Sequence, residues 1–463
     1  MKHACIIGLG RSGSASARLL QRQGWQVSLL DSSDRPELRS QAEPLVAAGI
    51  EVRLGTKLAP TDLGWSRGQR PDRLVVSPGV PWDLPGLVQA RTLGCETLGE
   101  MELAWEALGK IPWVGITGTN GKTTVTTLIG AMLQRAGLDA PTCGNIGDAA
   151  CGLAEAVVRG DRPEPEQVVA EISSYQIEAA PTLAPSVGVW TTFTPDHLAR
   201  HYTLDNYFAI KASLLERSAT KILNGDDPEL RQRLATRWPD ALWTSVQGPE
   251  PLANGALPAA WIDDEDWVII RGERICPAGS LAMVGDHNRQ NLLLAATASR
   301  LAGATAEAIA AAVADFPGVA HRLEKVGQRG AIAFINDSKA TNYDAAEVGL
   351  RAVTGPTILI AGGEAKKGDD SAWMARIAEK TVAVLLIGKA ADAFAARLQE
   401  TGYAAPVENC LTLARAVPRA LELARDLGAV NVLLSPACAS FDQYPNFETR
   451  GDDFRHCVAV LEP

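Results

Sequence analysis

Histidine is scarce in this chain, at six residues in 463, and the eight cysteines (Cys5, Cys95, Cys143, Cys151, Cys276, Cys410, Cys438, Cys457) are scattered, with no CxxC pair. That excludes a zinc ribbon or a disulfide framework and predicts reduced thiols in a cytoplasmic protein. Positive charge is in deficit: 44 Lys and Arg stand against 54 Asp and Glu, a net charge of −10. No basic field therefore awaits nucleic acid or an anionic lipid surface, and any anionic substrate must be held by local sites. Long apolar runs are missing too. A membrane span needs roughly 20 uncharged apolar residues, and Arg300 and Glu307 interrupt even the Ala-rich region 292–316. The opening residues lack the apolar core of a signal peptide, and no 20–50-residue repeat or low-complexity tract is found. What is present, 46% hydrophobic against 21% charged residues, suits a globular chain with several cores, and the length predicts about three domains.

The order of apolar runs and breaks predicts an α/β chain in three parts. Residues 4–7 and 26–30 read as short buried strands around a helix over 15–23 that stops at Gly24, and a further strand follows at 74–76. Gly109-Lys110-Ile111-Pro112 marks the first boundary, giving a part over 1–110. A strand at 113–117 then runs through a glycine turn into a helix with Val125, Leu128, Ile129, Met132 and Leu133 on one face. An apolar strand at 168–172, a Pro/Asp/Glu-rich stretch around 247–266 and an Ala-rich helix near 291–302 complete the part over 111–318, which closes at Phe316-Pro317-Gly318. In 319–463 apolar runs alternate with helical stretches as in a parallel sheet, and three of them end in the loops NDSK, GGEAKK and SPACAS. Ligands of open α/β sheets sit beyond the carboxyl ends of strands, so these loops are expected to line a site.

Two glycine turns carry chemistry. Gly8-Leu9-Gly10-Arg11-Ser12-Gly13, between a strand and a helix with Asp31 at the next strand's end, fits the dinucleotide fingerprint. Glycines and a helix N-terminus accept any diphosphate, so NAD, another nucleotide such as a UDP-sugar, and no ligand all stay open on this motif alone. Gly118-Thr119-Asn120-Gly121-Lys122-Thr123-Thr124 resembles a phosphate loop, although five residues rather than four separate Gly115 from Gly121. Its amides can cradle phosphates, Lys122 can reach the terminal ones and Thr123 can bind Mg²⁺; the plainer reading is a helix cap by Thr119 or Asn120. Glu171 ends an apolar strand, where a carboxylate can serve Mg²⁺, or merely precede the capping-box pair Ser173 and Gln176. Lys211 shares a helix face with Leu204, Phe208 and Leu215, so its amine either snorkels to the surface or is desolvated and open to modification. His197 lies in a turn, a setting where solvated histidines outnumber ligands; Asn288 and Asn291, three apart, can bind a base edge or simply follow a cap at Asp286; His321-Arg322 sits at the second boundary, a phosphate clamp or a solvated charge.

GTNGKTT, EISSYQIE, the segment from His197 to Lys211, GDHNRQN, HR and the C-terminal loops occur in one order across almost the whole chain. As a set they resemble the Mur ligase family, ATP-dependent amide-bond-forming enzymes of peptidoglycan synthesis. GLGRSG, Ser77-Pro78-Gly79, Asn336-Asp337-Ser338-Lys339-Ala340-Thr341-Asn342 and SPACASFDQYPNFETRGDDF look most like the members that add D-glutamate to UDP-N-acetylmuramoyl-L-alanine. The resemblance decides the first motif against NAD. It implies a Rossmann-like UDP-sugar domain over 1–110, a central mononucleotide-binding ATPase domain of the P-loop type over 111–318, and a Rossmann-like amino-acid domain over 319–463. By the same resemblance Gly10, Ser12, Asp31, Ser32, Ser77, Pro78 and Gly79 surround the UDP-sugar, and Asn145 lies near its muramoyl-alanine end. Gly118, Thr119, Asn120, Gly121, Lys122, Thr123 and Thr124, with Asn288, Asn291, Arg322 and Asp337, hold ATP. Thr123, Glu171, His197 and Lys211, the last as a carbamate, form a site for Mg²⁺, two ions in number, and Lys122, His197 and Lys211 serve the chemistry. Lys339, Thr341, Lys366, Ser440 and Phe447 take D-glutamate, with Lys367 an alternative to its neighbour. The partners implied are small molecules only, the chain being a cytoplasmic monomer. A nicotinamide-dependent dehydrogenase would leave Lys122, Glu171 and Lys211 idle, a folylpolyglutamate synthase generally begins with its phosphate loop, and a non-catalytic scaffold would need none of the three.

Overall fold

The computed structural model describes residues 2–56, 70–234, 236–283, 285–365 and 368–461, and these build three open sheets. The first consists of β1 (His3–Ile7), β2 (Gln26–Leu30), β3 (Glu51–Arg53), β4 (Arg73–Val76) and β5 (Glu96–Gly99). They run parallel in the order β3-β2-β1-β4-β5. Consecutive residues of β1 and β4 are buried on both faces, as a sheet covered by crossover helices requires. After β1 the chain turns sharply through Gly8 (φ +99°), and a Cβ on Gly13 would stand 2.0 Å from the Gly8 carbonyl oxygen. Glycine at both positions lets the Arg11–Arg22 helix close onto the strand end.

The second sheet holds nine strands: β6 (Trp113–Thr117), β7 (Thr142–Gly144), β8 (Val168–Glu171), β9 (Val187–Trp190), β10 (Thr220–Asn224), β11 (Leu242–Ser245), β12 (Pro258–Ile262), β13 (Trp267–Ile270) and β14 (Glu273–Pro277). Their order is β14-β13-β12-β11-β10-β9-β6-β8-β7, parallel except where β13 pairs antiparallel with β12 and β14. The acidic stretch near 247–266 thus leads into a β-meander. Its turn is built by Asp263, whose Oδ1 accepts from the amides of Glu265 and Trp267, so acidic residues of that stretch are turn formers.

The third sheet is β15 (Glu324–Arg329), β16 (Ile332–Asn336), β17 (Thr357–Gly362), β18 (Thr381–Ile387), β19 (Val407–Leu411) and β20 (Asn431–Leu434), in the order β15-β16-β20-β17-β18-β19. Only the β15–β16 pair is antiparallel. Ile358, Ile360, Leu385 and Val432 enter one core and Leu359, Ala361, Val384 and Leu433 the other, so both faces are buried. The chain forms two compact units: Met1–Phe193, Arg200–Leu281 and Asp286–Phe316 in one, Thr194–Ala199, Ala282–Gly285 and Pro317–Pro463 in the other. The first unit carries the first two sheets. All eight cysteines are buried free thiols, and no helix among the described residues is long and apolar enough to cross a membrane.

One close contact positions the Lys211 helix, Leu204–Arg217. A Cβ on Gly188 of β9 would lie 2.3 Å from Ser218 Oγ and 2.9 Å from Leu215 Cδ1. The helix can approach the sheet only because that Cβ is missing. Gly188→Val is expected to lower stability by about 1–3 kcal/mol, as overpacking does, with urea unfolding as the measurement; an unchanged midpoint would show that the helix yields freely.

Candidate functional site

At the carboxyl edge of the first sheet the strand order reverses between β1 and β4, the place where open α/β sheets bind ligands. A cavity of about 450 Å³ opens there, and Gly10, Ser12, Asp31, Ser32, Ser77, Pro78, Gly79 and Asn145, all eight residues expected around a UDP-sugar, line it together with Gln176. A Cβ on Gly10 would meet nothing within 4 Å, so the loop backbone stands open. Asp31 does structural work: Oδ2 accepts from the Leu9 amide at 2.7 Å and Oδ1 from the Ser33 amide at 2.8 Å. Ser77 Oγ donates to the Gly8 carbonyl at 2.9 Å, joining the loops that follow β1 and β4.

In the second sheet β6 lies between β8 and β9, and the ends of these three strands assemble the next cluster. The Gly118–Thr124 turn is braced by Thr191 and Thr192 beyond β9. Thr119 N donates to the Thr192 carbonyl at 2.8 Å, Asn120 N to Thr192 Oγ1 at 2.9 Å, and Thr191 Oγ1 to the Asn120 carbonyl. The Lys122–Arg135 helix starts from Gly121 with no side-chain cap, so neither Thr119 nor Asn120 plays the capping role. Lys122 Nζ donates to the carbonyls of Gly118 and Thr119, both at 2.9 Å, which places its charge over the turn. A Cβ on Gly118 would fall 1.9 Å from Thr191 Oγ1, and one on Gly121 2.5 Å from Asn291 Oδ1. The buried Asn288 and Asn291 thus stand beside the turn, Asn291 Nδ2 donating to Asn288 Oδ1 at 3.4 Å.

Glu171, at the end of β8 and 1% exposed, is the centre of this cluster. Its Oε2 accepts from Thr123 Oγ1 at 2.7 Å, and its Oε1 from Asn145 Nδ2 at 2.8 Å. The capping box of Ser173 and Gln176 is present as well. A hydroxyl and a carboxylate are hard oxygen donors of the kind Mg²⁺ combines with phosphate oxygens and water. Among the described residues no three His, Cys, Asp or Glu gather in a metal-holding group, and Mg²⁺ needs no such protein cage. Lys211 does not snorkel. It is 1% exposed, its Nζ donates to the Gly118 carbonyl at 2.8 Å and to Thr117 Oγ1 at 3.3 Å, and it lies 4.8 Å from the Tyr207 ring centroid. Tyr207 in turn stacks between Phe193 and His201. His197 belongs to the Thr194–Ala199 segment of the second unit, with Nε2 3.4 Å from Asp196 Oδ2.

In the third sheet the loops after β16, β17 and β20 are tied together. Glu364 and Ala439 exchange backbone hydrogen bonds. Arg450, 1% exposed, donates through Nε to Ser338 Oγ, through Nη2 to the Ser338 carbonyl at 2.7 Å and through Nη1 to the Cys438 carbonyl. Ser338 Oγ donates to the Phe447 carbonyl, and Lys339 Nζ lies 4.9 Å over the Phe447 ring. Buried Ser440 and half-buried Thr341 belong to the same loops, while Lys366 and Lys367 lie outside the described residues. Asp337 follows β16; its Oδ2 accepts from Ser435 Oγ at 2.8 Å and its Oδ1 from the Leu323 amide at 3.3 Å. The positive charge of Arg322 is felt at this carboxyl. His321, buried beside Asn336, is shifted below its ordinary range by burial. Thr191 and Thr192 are not among the residues expected from the sequence, where the apolar run VGVW ending in two threonines is the available signal, and Gln176 is expected only as a capping partner.

Residues 116–299 match the Mur ligase middle domain and residues 2–99 the Mur ligase MurD-like N-terminal domain. The UDP-N-acetylmuramoylalanine--D-glutamate ligase of Synechococcus elongatus is 61% identical over 465 residues, covering 100% of this chain and 99% of that one. The enzyme of the same name from Synechocystis sp. is 57% identical over 462 residues, covering all of both. Among solved structures, a pseudomurein peptide ligase type C from Methanothermus fervidus (TM-score 0.62, 18% identity) and the UDP-N-acetylmuramate-alanine ligase MurC of Thermotoga maritima (TM-score 0.61, 15% identity) share the fold, each covering 100% of both chains.

Burial raises the Asp337 carboxyl from an ordinary 3.8 to about 7, against the pull of Ser435 and Arg322. The folded chain therefore binds a proton there that the unfolded chain has already released, and the stability this contributes at low pH is lost as pH rises through about 7. Between pH 5 and 8 wild-type stability is expected to fall more steeply with pH than that of Asp337→Asn in urea unfolding. Parallel curves would show Asp337 ionised throughout.

Proposed function

Because this chain belongs to the Mur ligase family, we propose that it joins D-glutamate to UDP-N-acetylmuramoyl-L-alanine through an amide bond, converting ATP to ADP and phosphate. The observation that carries the reading is the double engagement of Glu171. One oxygen is held by Thr123 of the phosphate loop and the other by Asn145 of the nucleotide-sugar cavity, so a single carboxylate registers the phosphate donor against the acceptor. In this reading residues 1–110 bind the UDP-sugar, 111–318 bind ATP and 319–463 receive D-glutamate. The enzyme works as a monomer in the cytoplasm on small molecules alone.

The alanyl carboxylate attacks the γ-phosphorus of ATP, the β–γ bridge bond breaks, and ADP leaves with its electron pair. Lys122, held over the turn, supplies positive charge as the transferred phosphoryl group develops negative charge. An acyl phosphate results. The D-glutamate amine adds to its carbonyl, the tetrahedral adduct loses phosphate, and the nitrogen gives up a proton as the amide forms. Thr123, Glu171 and His197 would hold Mg²⁺, two ions in this reading, which would supply positive charge against the phosphates. Asn288, Asn291, Arg322 and Asp337 complete the ATP site. Lys339, Thr341, Ser440 and Phe447, on loops fixed by Arg450, form the D-glutamate pocket, with Lys366 or Lys367.

Phosphate release should be measured with ATP, Mg²⁺ and UDP-N-acetylmuramoyl-L-alanine, comparing D-glutamate, L-glutamate, meso-diaminopimelate, L-lysine and no amino acid. Turnover and the amide mass are expected with D-glutamate alone. Turnover with another amino acid would keep the chemistry and overturn the pocket; none at all would overturn the reading.

In this reading Lys211 is carbamylated, and its sequestration from water beside the loop supports that. Its uncharged amine adds to CO₂ and releases a proton, leaving an anion that can orient the Mg²⁺ site. Lys211→Ala is expected to lose at least about 100-fold in kcat, in the range seen for one electrostatic group, and to regain part of it with small carboxylates. A mass of intact Lys211 free of CO₂ in a crystal of the active enzyme would remove the carbamate.

A further inference from the structure

Glu100 opens the Glu100–Leu108 helix immediately after β5 and is 1% exposed. Its Oε1 accepts from the Cys151 amide at 2.6 Å, while the equally buried Oε2 has no hydrogen-bond partner. A half-satisfied acid in an interior is costly, and burial pushes this carboxyl up to about 7 against the opposing bonds from Cys151. Methionine or leucine would fill the same volume without that cost, so the oxygen contacting Cys151 is the feature that needs a reason.

The reason lies in the Ala150–Arg159 helix. Its N-cap residue is Ala149 and no side chain of its own caps it. Glu100 supplies the missing acceptor from a different element, at the end of the helix where a negative charge is favoured. Cys151 Sγ returns a hydrogen bond to the Glu100 carbonyl at 3.2 Å. This helix start is the exit of the loop that carries Asn145. Gly144, Asn145, Gly147 and Ala149 all line the 450 Å³ cavity. The Gly144 amide donates to the Asp148 carbonyl at 3.0 Å, and Arg11 Nη1 to the Gly147 carbonyl at 3.0 Å. Glu171 holds the loop's entry, through its carbonyl to the Asn145 amide at 2.9 Å and its carboxylate to the Asn145 side chain. Glu100 holds its exit.

We propose that Glu100 is a positioning residue for the nucleotide-sugar substrate: by capping the Ala150–Arg159 helix it fixes the 144–149 loop and thereby sets Asn145 in the cavity and against Glu171. The inference rests on the reading that this cavity takes UDP-N-acetylmuramoyl-L-alanine.

Two variants of matched volume separate capping from bulk. Glu100→Gln keeps an acceptor for the Cys151 amide; Glu100→Met removes it and leaves that buried amide unpaired while also removing the half-satisfied acid, so the two effects offset and it is expected to fold. Met is expected to raise KM for the nucleotide sugar about 5- to 10-fold, the scale of a lost helix cap, with KM for D-glutamate within twofold and kcat within threefold. Gln is expected to stay within twofold of wild type throughout. Amide hydrogen exchange, read without substrate, is expected to quicken at least about tenfold over 144–152 in the Met variant and not in the Gln variant, while neighbouring peptides keep their rates. Wild-type KM and loop exchange in the Met variant would overturn the proposal, as would an even rise in every KM and every exchange rate. If the wild type itself fails to turn over the nucleotide sugar, the functional reading falls, and the exchange data still decide whether Glu100 caps the loop's exit.

Discussion

The Glu171 carboxylate is the constraint on which the rest of the site depends. It is almost fully buried, and both oxygens are satisfied by donors from different elements, Thr123 at the start of one helix and Asn145 in a loop after another strand. Such a carboxylate has little freedom to reorient, because leaving either donor unpaired in the interior costs more than the bond itself contributes. Its position at the end of β8, next to β6 in parallel register, is fixed by the sheet. The register of two central strands is thus transmitted directly to the spacing between the Gly118–Thr124 turn and the cavity that Asn145 lines.

Glycine makes this spacing attainable. Gly118 and Gly121 let the phosphate turn lie against Thr191 and Asn291 at distances no Cβ would allow, and Gly188 does the same for the helix that brings Lys211 under the turn. The lysine's amine then meets backbone carbonyl oxygen in a setting where water is excluded. Interiors pack too densely for such approaches to be recovered by small adjustments elsewhere. The catalytic geometry is therefore a property of the sheet–helix contacts as much as of the polar residues.

Much of this was legible in the residues. Strands at 4–7, 26–30 and 113–117 stand out because doubly covered parallel strands are continuous apolar runs, and glycine turns directly after the first and the last of these locate the cavity and the Gly118–Thr124 turn. The meander formed by β12, β13 and β14 was obscured because acidic turn residues resemble a linker in composition. Helical spacing placed Lys211 on an apolar face but left its burial undecided; Tyr207 and the Gly118 carbonyl, which decide it, come from packing. Asp31 lines the cavity and its carboxylate also accepts from the amides of Leu9 and Ser33, the first a long-range contact that periodicity does not reveal. Asn145 was visible only through the family resemblance, since nothing in GNIG announces a partner 26 residues away.

The three strand-end regions share one design principle with three different fixings. In the first, a carboxylate, Asp31, gathers backbone amides; in the second, the ammonium of Lys122 gathers the backbone carbonyls of Gly118 and Thr119; in the third, the guanidinium of Arg450 does so across two loops. In each, a charged side chain is satisfied by main chain, which no substitution of neighbouring side chains removes. A loop held through its own backbone keeps its shape while the side chains on its open face vary. On the reading proposed above, exchanging residues such as Lys339, Thr341 and Ser440 would alter the pocket without moving the strands or the groups that fix the loops.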